Sequence, residues 1–178
     1  KKLVSEFSQF FEQAVSKGVG PYKSFVIKAD AKKQGNLHQL LALLDEHGIQ
    51  YGNGVIGSAK GLNYLSSKEE QFTISKEDIV ISGLQPNSAL LQVLFEPKTA
   101  LTDSATYDIT AWSLPYAYGV QTFALKDKLA ATESFTKPAI TIAATKYGYA
   151  LPWNSLKSAV FAAKLLQKGY KLRYATES

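Results

Sequence analysis

The first apolar positions of the chain are separated by steps of three and four residues. This spacing places them on one face of a helix and predicts an amphipathic helix over residues 2–16. Gly18, Gly20 and Pro21 follow directly and are typical of a helix end. The predicted apolar face consists of Leu3, Phe7, Phe10, Phe11, Ala14 and Val15.

A strand, a helix and a second strand are predicted next. Residues 24–29 are rich in Phe, Val and Ile and indicate a strand, and a polar link precedes a second amphipathic helix. Gly48 stands where a left-handed helix cap is favoured, and residues 49–51 begin another strand. Strand, helix and strand with short links predict a parallel crossover unit. The apolar face of the helix consists of Leu37, Leu40, Leu41 and Leu44.

The same order of elements returns near the end of the chain. Residues 147–151 predict a strand, Asn154 is placed to cap a helix, and Gly169 separates that helix from a strand at residues 170–174. This similarity predicts an internal duplication of the strand-helix-strand unit. The first copy continues through a predicted hairpin near residues 72–81, so we expect the natural protein to extend beyond residue 178.

The remaining patterns predict a helix over residues 87–95 and strands over residues 120–125 and 138–144, with a polar loop between those strands. Together the elements predict an α/β fold with a mostly parallel sheet and helices on both faces. This architecture is similar to flavodoxin-like and class I glutamine-amidotransferase-like domains. Residues 1–20 are predicted to link to an upstream domain, and residues 21–178 to form one α/β domain that is truncated at its C-terminal end.

Composition excludes several classes of protein. A chain of 178 residues with 46% hydrophobic and 20% charged residues can bury one sizeable core. The lysines are spread along the chain, so the net charge of +5 indicates no nucleic-acid partner. No apolar run predicts a membrane span. Without cysteine the chain has no disulfide, no thiolate metal ligand and no thiol nucleophile.

One aromatic segment resembles a known family. Residues 106–120, T-Y-D-I-T-A-W-S-L-P-Y-A-Y-G-V, resemble a segment found downstream of the catalytic domain in bacterial, Bacteroidetes-type zinc carboxypeptidase-like proteins. Residues 22–30 and 90–97 fit the same resemblance in the same order, so it covers most of the chain. Neither His38 nor His47 begins the His-x-x-Glu pair of a metallocarboxypeptidase.

The resemblance implies a non-catalytic accessory domain that packs against a peptidase domain or shapes access to it. The parent protein would be a zinc-dependent metallocarboxypeptidase in the periplasm or outside the cell. Its zinc would lie in the upstream peptidase domain, so we expect no cofactor in this chain. A peptide substrate would be reached only through the parent.

The aromatic segment also supplies the candidate contact residues. Aromatic side chains around a proline are typical of a core hinge or of an interface between domains, and a stacking platform for a ligand is the alternative. The acidic member of the group is expected to cap a turn or to bind a tyrosine hydroxyl. The candidates are Tyr107, Asp108, Trp112, Pro115, Tyr116 and Tyr118.

A small-ligand or nucleotide-binding α/β module is the competing hypothesis. Gly52, Gly54 and Gly57 match the dinucleotide fingerprint G-x-G-x-x-G after a predicted strand. Trp153 and Asn154 would stand with this loop at the mouth of the site. The fingerprint requires a following helix, whereas residues 58–65 are short and interrupted by a glycine, which favours a surface loop.

Catalytic and metal chemistry find little support in the sequence. Glu96, Asp103 and Asp108 lie close enough in sequence to suggest paired carboxylates, but helix capping is the favoured interpretation. Two histidines without a thiol do not predict a metal site. The chain also lacks a Gly-x-Ser-x-Gly elbow and the cysteine nucleophile of class I glutamine amidotransferases. We therefore predict no catalytic residue and no metal ligand.

Overall fold

The computed structural model describes residues 2–98, 113–129, 135 and 142–175. Helices and strands alternate irregularly along these ranges, and a 3-10 turn at Ala31–Lys33 precedes the second helix. The helices are α1 (Lys2–Lys17), α2 (Gln34–Glu46), α3 (Ser88–Phe95), α4 (Leu114–Tyr118) and α5 (Leu156–Gln167). The strands are β1 (Ser24–Ile27), β2 (Gly52–Asn53), β3 (Gly57–Asn63), β4 (Lys68–Ile74), β5 (Ile79–Ser82) and β6 (Thr122–Leu125).

The six described strands form one sheet in the order β2-β5-β1-β6-β3-β4. Every pairing between them is antiparallel. At the centre, Phe25 of β1 lies between Ile81 of β5 and Ala124 of β6. The prediction of a mostly parallel sheet of the flavodoxin-like or class I glutamine-amidotransferase-like type is therefore wrong.

The error concerns which strands are neighbours. The predicted order of β1, α2 and β2 is present, and β1 and β2 do run in the same direction, because both are antiparallel to β5. However, β5 lies between them, which makes the unit a split β-α-β arrangement instead of a parallel crossover. Strand β5 follows β2 in the chain but lies between β1 and β2 in the sheet. Each of these strands is therefore antiparallel to its neighbour.

The predicted internal duplication is also wrong. Helix α5 forms where the second copy requires a helix. Residues 147–151 and 170–174, which were predicted to flank it as strands, have no regular secondary structure. The described part of the strand predicted at residues 138–144, residues 142–144, has none either. The C-terminal region therefore repeats the helix of the first unit without its strands.

Alternate residues of the central strands fill two cores on opposite faces of the sheet. Phe25 and Ile27 face one side and pack with the buried residues of α2 and α3. Val26 and Leu125 face the other side and pack with strand residues. The predicted helices on both faces are therefore replaced by helices on one face. The buried residues of α2 include the four predicted ones, Leu37, Leu40, Leu41 and Leu44.

The second face is covered by the β3-β4 hairpin. Only residues 54–56 connect β2 to β3, yet β3 pairs with β6 on the other side of β1, so the hairpin has to cross the sheet. The ring of Phe72 in β4 stacks on that of Phe123 in β6, with centroids 3.8 Å apart and planes 11° apart. A Cβ on Gly61 would lie 3.0 Å from the carbonyl oxygen of Ala124, so a glycine lets β3 approach β6 closely.

The local predictions for the first two helices are confirmed. Helix α1 spans the predicted range to within one residue and ends before Gly18, whose φ of 66° is left-handed. Helix α2 ends at Glu46 with His47 as its C-cap, and Gly48 follows with a φ of 62°. Both glycines supply a conformation that costs other residues free energy, so these two helix ends are encoded locally.

Candidate functional site

Helix α4 contains the three candidate contact residues that the structure describes. Pro115 stands in its first turn, and Gly119 ends it with a φ of 61°. Pro115 is buried, whereas Tyr116 is 46% exposed and its ring lies 5.2 Å from that of Tyr64. The C-terminal part of the predicted contact segment, helix α4, therefore packs against the core on the helix-covered face of the sheet. The other three candidates, Tyr107, Asp108 and Trp112, lie outside the described residues.

Tyr64 is the buried partner of this helix and was missed by sequence reasoning. Its side chain is almost fully buried, and its hydroxyl donates a hydrogen bond to the carbonyl oxygen of Phe95. Burial raises the pKa of the Tyr64 phenol well above its usual value, and the nearby phenol of Tyr116 adds to the effect. A neutral, hydrogen-bonded tyrosine in this setting has a structural role.

The glycine-rich loop has a packing role in the structure. Gly52 belongs to β2 and Gly57 begins β3, so a strand follows the loop where the dinucleotide fingerprint requires a helix. A Cβ on Gly54 would lie 2.4 Å from the carbonyl oxygen of Ser75 and 2.6 Å from Cγ2 of Ile74. Glycine at this position therefore permits the base of the hairpin to close.

Trp153 and Asn154 lie elsewhere, directly before α5. Trp153 is largely exposed, and the side-chain amide of Asn154 donates a hydrogen bond to the carbonyl oxygen of Lys32. The helix cap predicted for Asn154 belongs to Ser155 instead, whose hydroxyl accepts a hydrogen bond from the Ser158 amide at 3.2 Å. The carboxyl ends of neighbouring strands in an antiparallel sheet lie at opposite edges. The sheet therefore does not form the expected ligand site at one edge, with the glycine loop and these two residues at its mouth.

A groove between α5 and the body of the domain was not predicted. It is an open cavity of about 510 Å³, to which α2 contributes Gln39 and α4 contributes Tyr118. The remaining lining comes from α5 and combines apolar side chains with two lysines. These α5 residues are Leu156, Lys157, Val160, Phe161 and Lys164. We call this cavity the α5 groove.

The most strongly connected carboxylate of the described residues is Asp78, which is 1% exposed. It forms an ion pair with the ammonium of Lys28 and accepts hydrogen bonds from the amides of Ala29 at 2.9 Å and Ser75 at 2.8 Å. These contacts join the end of β1 to the turn between β4 and β5. Because its oxygens are occupied by structural donors, Asp78 is poorly placed to act as a base.

The other titratable candidates have structural positions. Glu96 follows α3 as its C-cap, and Asp103 lies outside the described residues. The ring of His38 lies 6.4 Å from that of Phe135, and the carbonyl oxygen of His47 accepts a hydrogen bond from the Asn87 amide. Within the described ranges, no group of three or more His, Cys, Asp or Glu residues is arranged to hold a metal ion.

Helix α1 exposes most of its apolar face. Leu3 is 81% exposed and Phe7 is 65% exposed, whereas Ala14 is buried. The C-terminal end of the helix is fixed to the domain, because the amide of Val19 donates to the hydroxyl of Ser88 at 2.6 Å. The first turns of α1 therefore present a continuous apolar surface to solvent.

Comparisons with protein-family models, with curated proteins and with solved structures found no match to this chain. The resemblance to zinc carboxypeptidase-like proteins therefore stays a prediction. None of the described helices is long and apolar enough to cross a membrane.

Proposed function

We propose that this chain is a non-catalytic accessory domain that packs against a neighbouring peptidase domain. The neighbour would be the catalytic domain of a zinc carboxypeptidase-like protein, as the resemblance of residues 106–120 implies. Zinc and peptide substrate would belong to that neighbour. The periplasm or the outside of the cell would be the place of action.

The observation that supports this proposal most directly is the exposed apolar face of α1. Exposed leucine and phenylalanine side chains in one continuous stripe are typical of a surface that another protein covers. Phe7 and Phe10 stand at the centre of this stripe and are both at least half exposed. Because each ring is already partly buried, covering the remaining exposed surface of both would contribute about 2–3 kcal/mol to an interface.

The test is binding of this chain to the isolated peptidase domain of a protein with a matching downstream segment, measured by titration calorimetry. We expect saturable binding by the natural chain and strongly reduced binding by Phe7→Ser/Phe10→Ser. Gln9→Ser/Gln13→Ser is the matched control, because it places two serines on the exposed polar face of the same helix.

Both double variants should unfold at similar denaturant concentrations, since all four side chains are exposed in the isolated chain. Equal binding by Phe7→Ser/Phe10→Ser and by its control would contradict the role of α1. Peptide cleavage by the purified chain in the presence of zinc, abolished by a chelator, would contradict the non-catalytic assignment.

A further inference from the structure

The α5 groove contains positive charge next to an apolar floor. Lys157, Phe161 and Lys164 follow one another at intervals of four and three residues, so they share one face of α5. Seven residues of α-helix separate the two lysines by about 10 Å. Phe161 is 51% exposed between them. No carboxylate within the described ranges lies at ion-pair distance from either lysine.

The charge of the whole C-terminal region has the same sign. Residues 1–133 contain 13 basic and 14 acidic residues, and residues 134–176 contain seven basic residues and no acidic one. The positive net charge of the chain is therefore concentrated in the region that contains α5. The seven residues are Lys137, Lys146, Lys157, Lys164, Lys168, Lys171 and Arg173.

The position of α5 is fixed at its first turn. A Cβ on Gly35 in α2 would lie 2.8 Å from Cβ and Oγ of Ser155, so these two segments are in close contact. Asn154 adds a hydrogen bond to the carbonyl oxygen of Lys32. The helix is thus held against α2 at this end, and the groove lies between α5, Gln39 of α2 and Tyr118 of α4.

We infer that the α5 groove binds an acidic amphipathic polypeptide segment. Apolar side chains of the segment would occupy the floor formed by Leu156, Val160 and Phe161, and its carboxylates would pair with Lys157 and Lys164. Recognition of an amphipathic helix by a groove uses this combination of an apolar floor and charged rims. The inference is independent of the accessory role proposed above, because it concerns a different surface from α1.

Two other anionic partners suit this geometry less well. A membrane surface favours a helix whose apolar face stands clear of the rest of the protein, whereas the exposed apolar residues of α5 named above share an open cavity with Gln39 and Tyr118. A nucleic acid would place phosphates against the lysines but offers little to the aliphatic side chains of Leu156 and Val160. A polypeptide satisfies both the charges and the apolar floor.

Binding to synthetic probes tests the inference. The main probe is a fluorescent helical peptide with leucine on one face and glutamate along both borders of that face, and its twin has lysine in place of glutamate. Phosphatidylserine vesicles and a labelled oligothymidylate represent the other anionic partners. Fluorescence anisotropy of the full 178-residue chain with each peptide and with the oligothymidylate, and co-sedimentation with the vesicles, give the affinities.

We expect the chain to bind the glutamate peptide more tightly than the lysine peptide, with an affinity that falls as salt is added. Lys157→Glu/Lys164→Glu should weaken binding about tenfold or more, because two attractions become two repulsions. Phe161→Ser should also weaken it. Lys17→Glu/Lys76→Glu is the control, since it makes the same change of charge at exposed sites outside the groove.

Reversing the charge of the groove should also produce a gain of binding. Lys157→Glu/Lys164→Glu should bind the lysine peptide better than both the natural chain and Lys17→Glu/Lys76→Glu, a difference that the change in net charge alone cannot produce. Equal effects of the groove variant and its control would overturn the inference. Binding of vesicles or oligothymidylate without binding of the glutamate peptide would also overturn it.

Discussion

Asp78 shows how a buried charge can be structural. Its carboxylate joins Lys28 and Ala29 at the end of β1 to Ser75 in the turn that precedes β5. Asp78→Ala would remove an acceptor from two amides and leave the ammonium of Lys28, whose side chain is only 22% exposed, with the Thr73 carbonyl oxygen but no carboxylate partner. We expect the free energy of unfolding to fall by about 3 kcal/mol in urea denaturation.

Glu77→Ala is the control for this prediction, because Glu77 is exposed and adjacent in sequence. Its effect should stay within about 0.5 kcal/mol. If the two variants were equally stable, the network around Asp78 would contribute little, and the carboxylate would become a candidate for another role.

Two tyrosines make stability depend on alkaline pH. Burial, together with a hydrogen bond to Asp45, raises the pKa of Tyr51 to about 12, and burial raises the pKa of Tyr64 as well. Folding therefore favours the protonated phenols. Their stabilising contribution is complete below the pKa of an unfolded tyrosine, about 10, and is lost as pH rises from there through the higher folded values.

We expect the free energy of unfolding to be lower at about pH 11 than at about pH 8. Tyr51→Phe/Tyr64→Phe should reduce that difference, because phenylalanine does not ionise, although the loss of the Tyr64 hydrogen bond to Phe95 lowers stability at both pH values. Urea denaturation at the two pH values provides the measurement. An unchanged difference in the double variant would show that other groups dominate the alkaline titration.

At the scale of the elements, alanine substitutions in the glycine loop test whether Gly54 is needed for packing at the base of the β3-β4 hairpin. Gly54→Ala would place a methyl group 2.4 Å from the Ser75 carbonyl oxygen and should lower the free energy of unfolding by about 1–3 kcal/mol. Gly57→Ala should have a much smaller effect, because its nearest neighbouring atom, the carbonyl oxygen of Val55, would be 3.8 Å away. Thermal unfolding of the two variants compares sites within one loop.

Equal destabilisation by the two alanines would contradict the packing argument. It would indicate that loop flexibility, which both glycines provide, matters more than the contact of Gly54 with the hairpin base.

Local patterns predicted elements well and their partners poorly. The steps of three and four residues in α1 and the four leucines of α2 determine which face of a helix is apolar, and the helices formed as predicted. Strand neighbours depend on contacts distant in sequence, so nothing between β1 and β2 could reveal that β5 would lie between them. Gly61, interpreted as a break, instead permits β3 to continue close to β6.

The α5 groove was less predictable than the individual helices. Tyr116 and Tyr118 were identified from an aromatic motif, whereas the α5 groove combines residues from three helices. The sequence signal for the groove was the absence of acidic residues over residues 134–176. It was missed because the lysines alone are spread along the whole chain. Charge counted by region would have indicated it.

At the scale of the whole molecule, the two faces of the central sheet are covered differently. Helices α2 and α3 cover one face, and the β3-β4 hairpin covers the other, so β1 and β5 are protected on both sides. Helices α1 and α5 lie outside this arrangement with most of their apolar side chains exposed. Their exposed apolar surfaces leave both helices available for contacts with other polypeptides.

This division predicts two levels of protection against amide hydrogen exchange. The amides of β1 and β5 should exchange only through global unfolding, because their residues are buried between two cores. Those of α5 should exchange faster through local opening, since few of its side chains are buried. Hydrogen-exchange mass spectrometry of the full chain would resolve these segments. Addition of the glutamate peptide should slow amide exchange in α5 and leave exchange in β1 unchanged. Without peptide, equal protection of α5 and β1 would contradict the two levels and show that α5 belongs to the central folding unit.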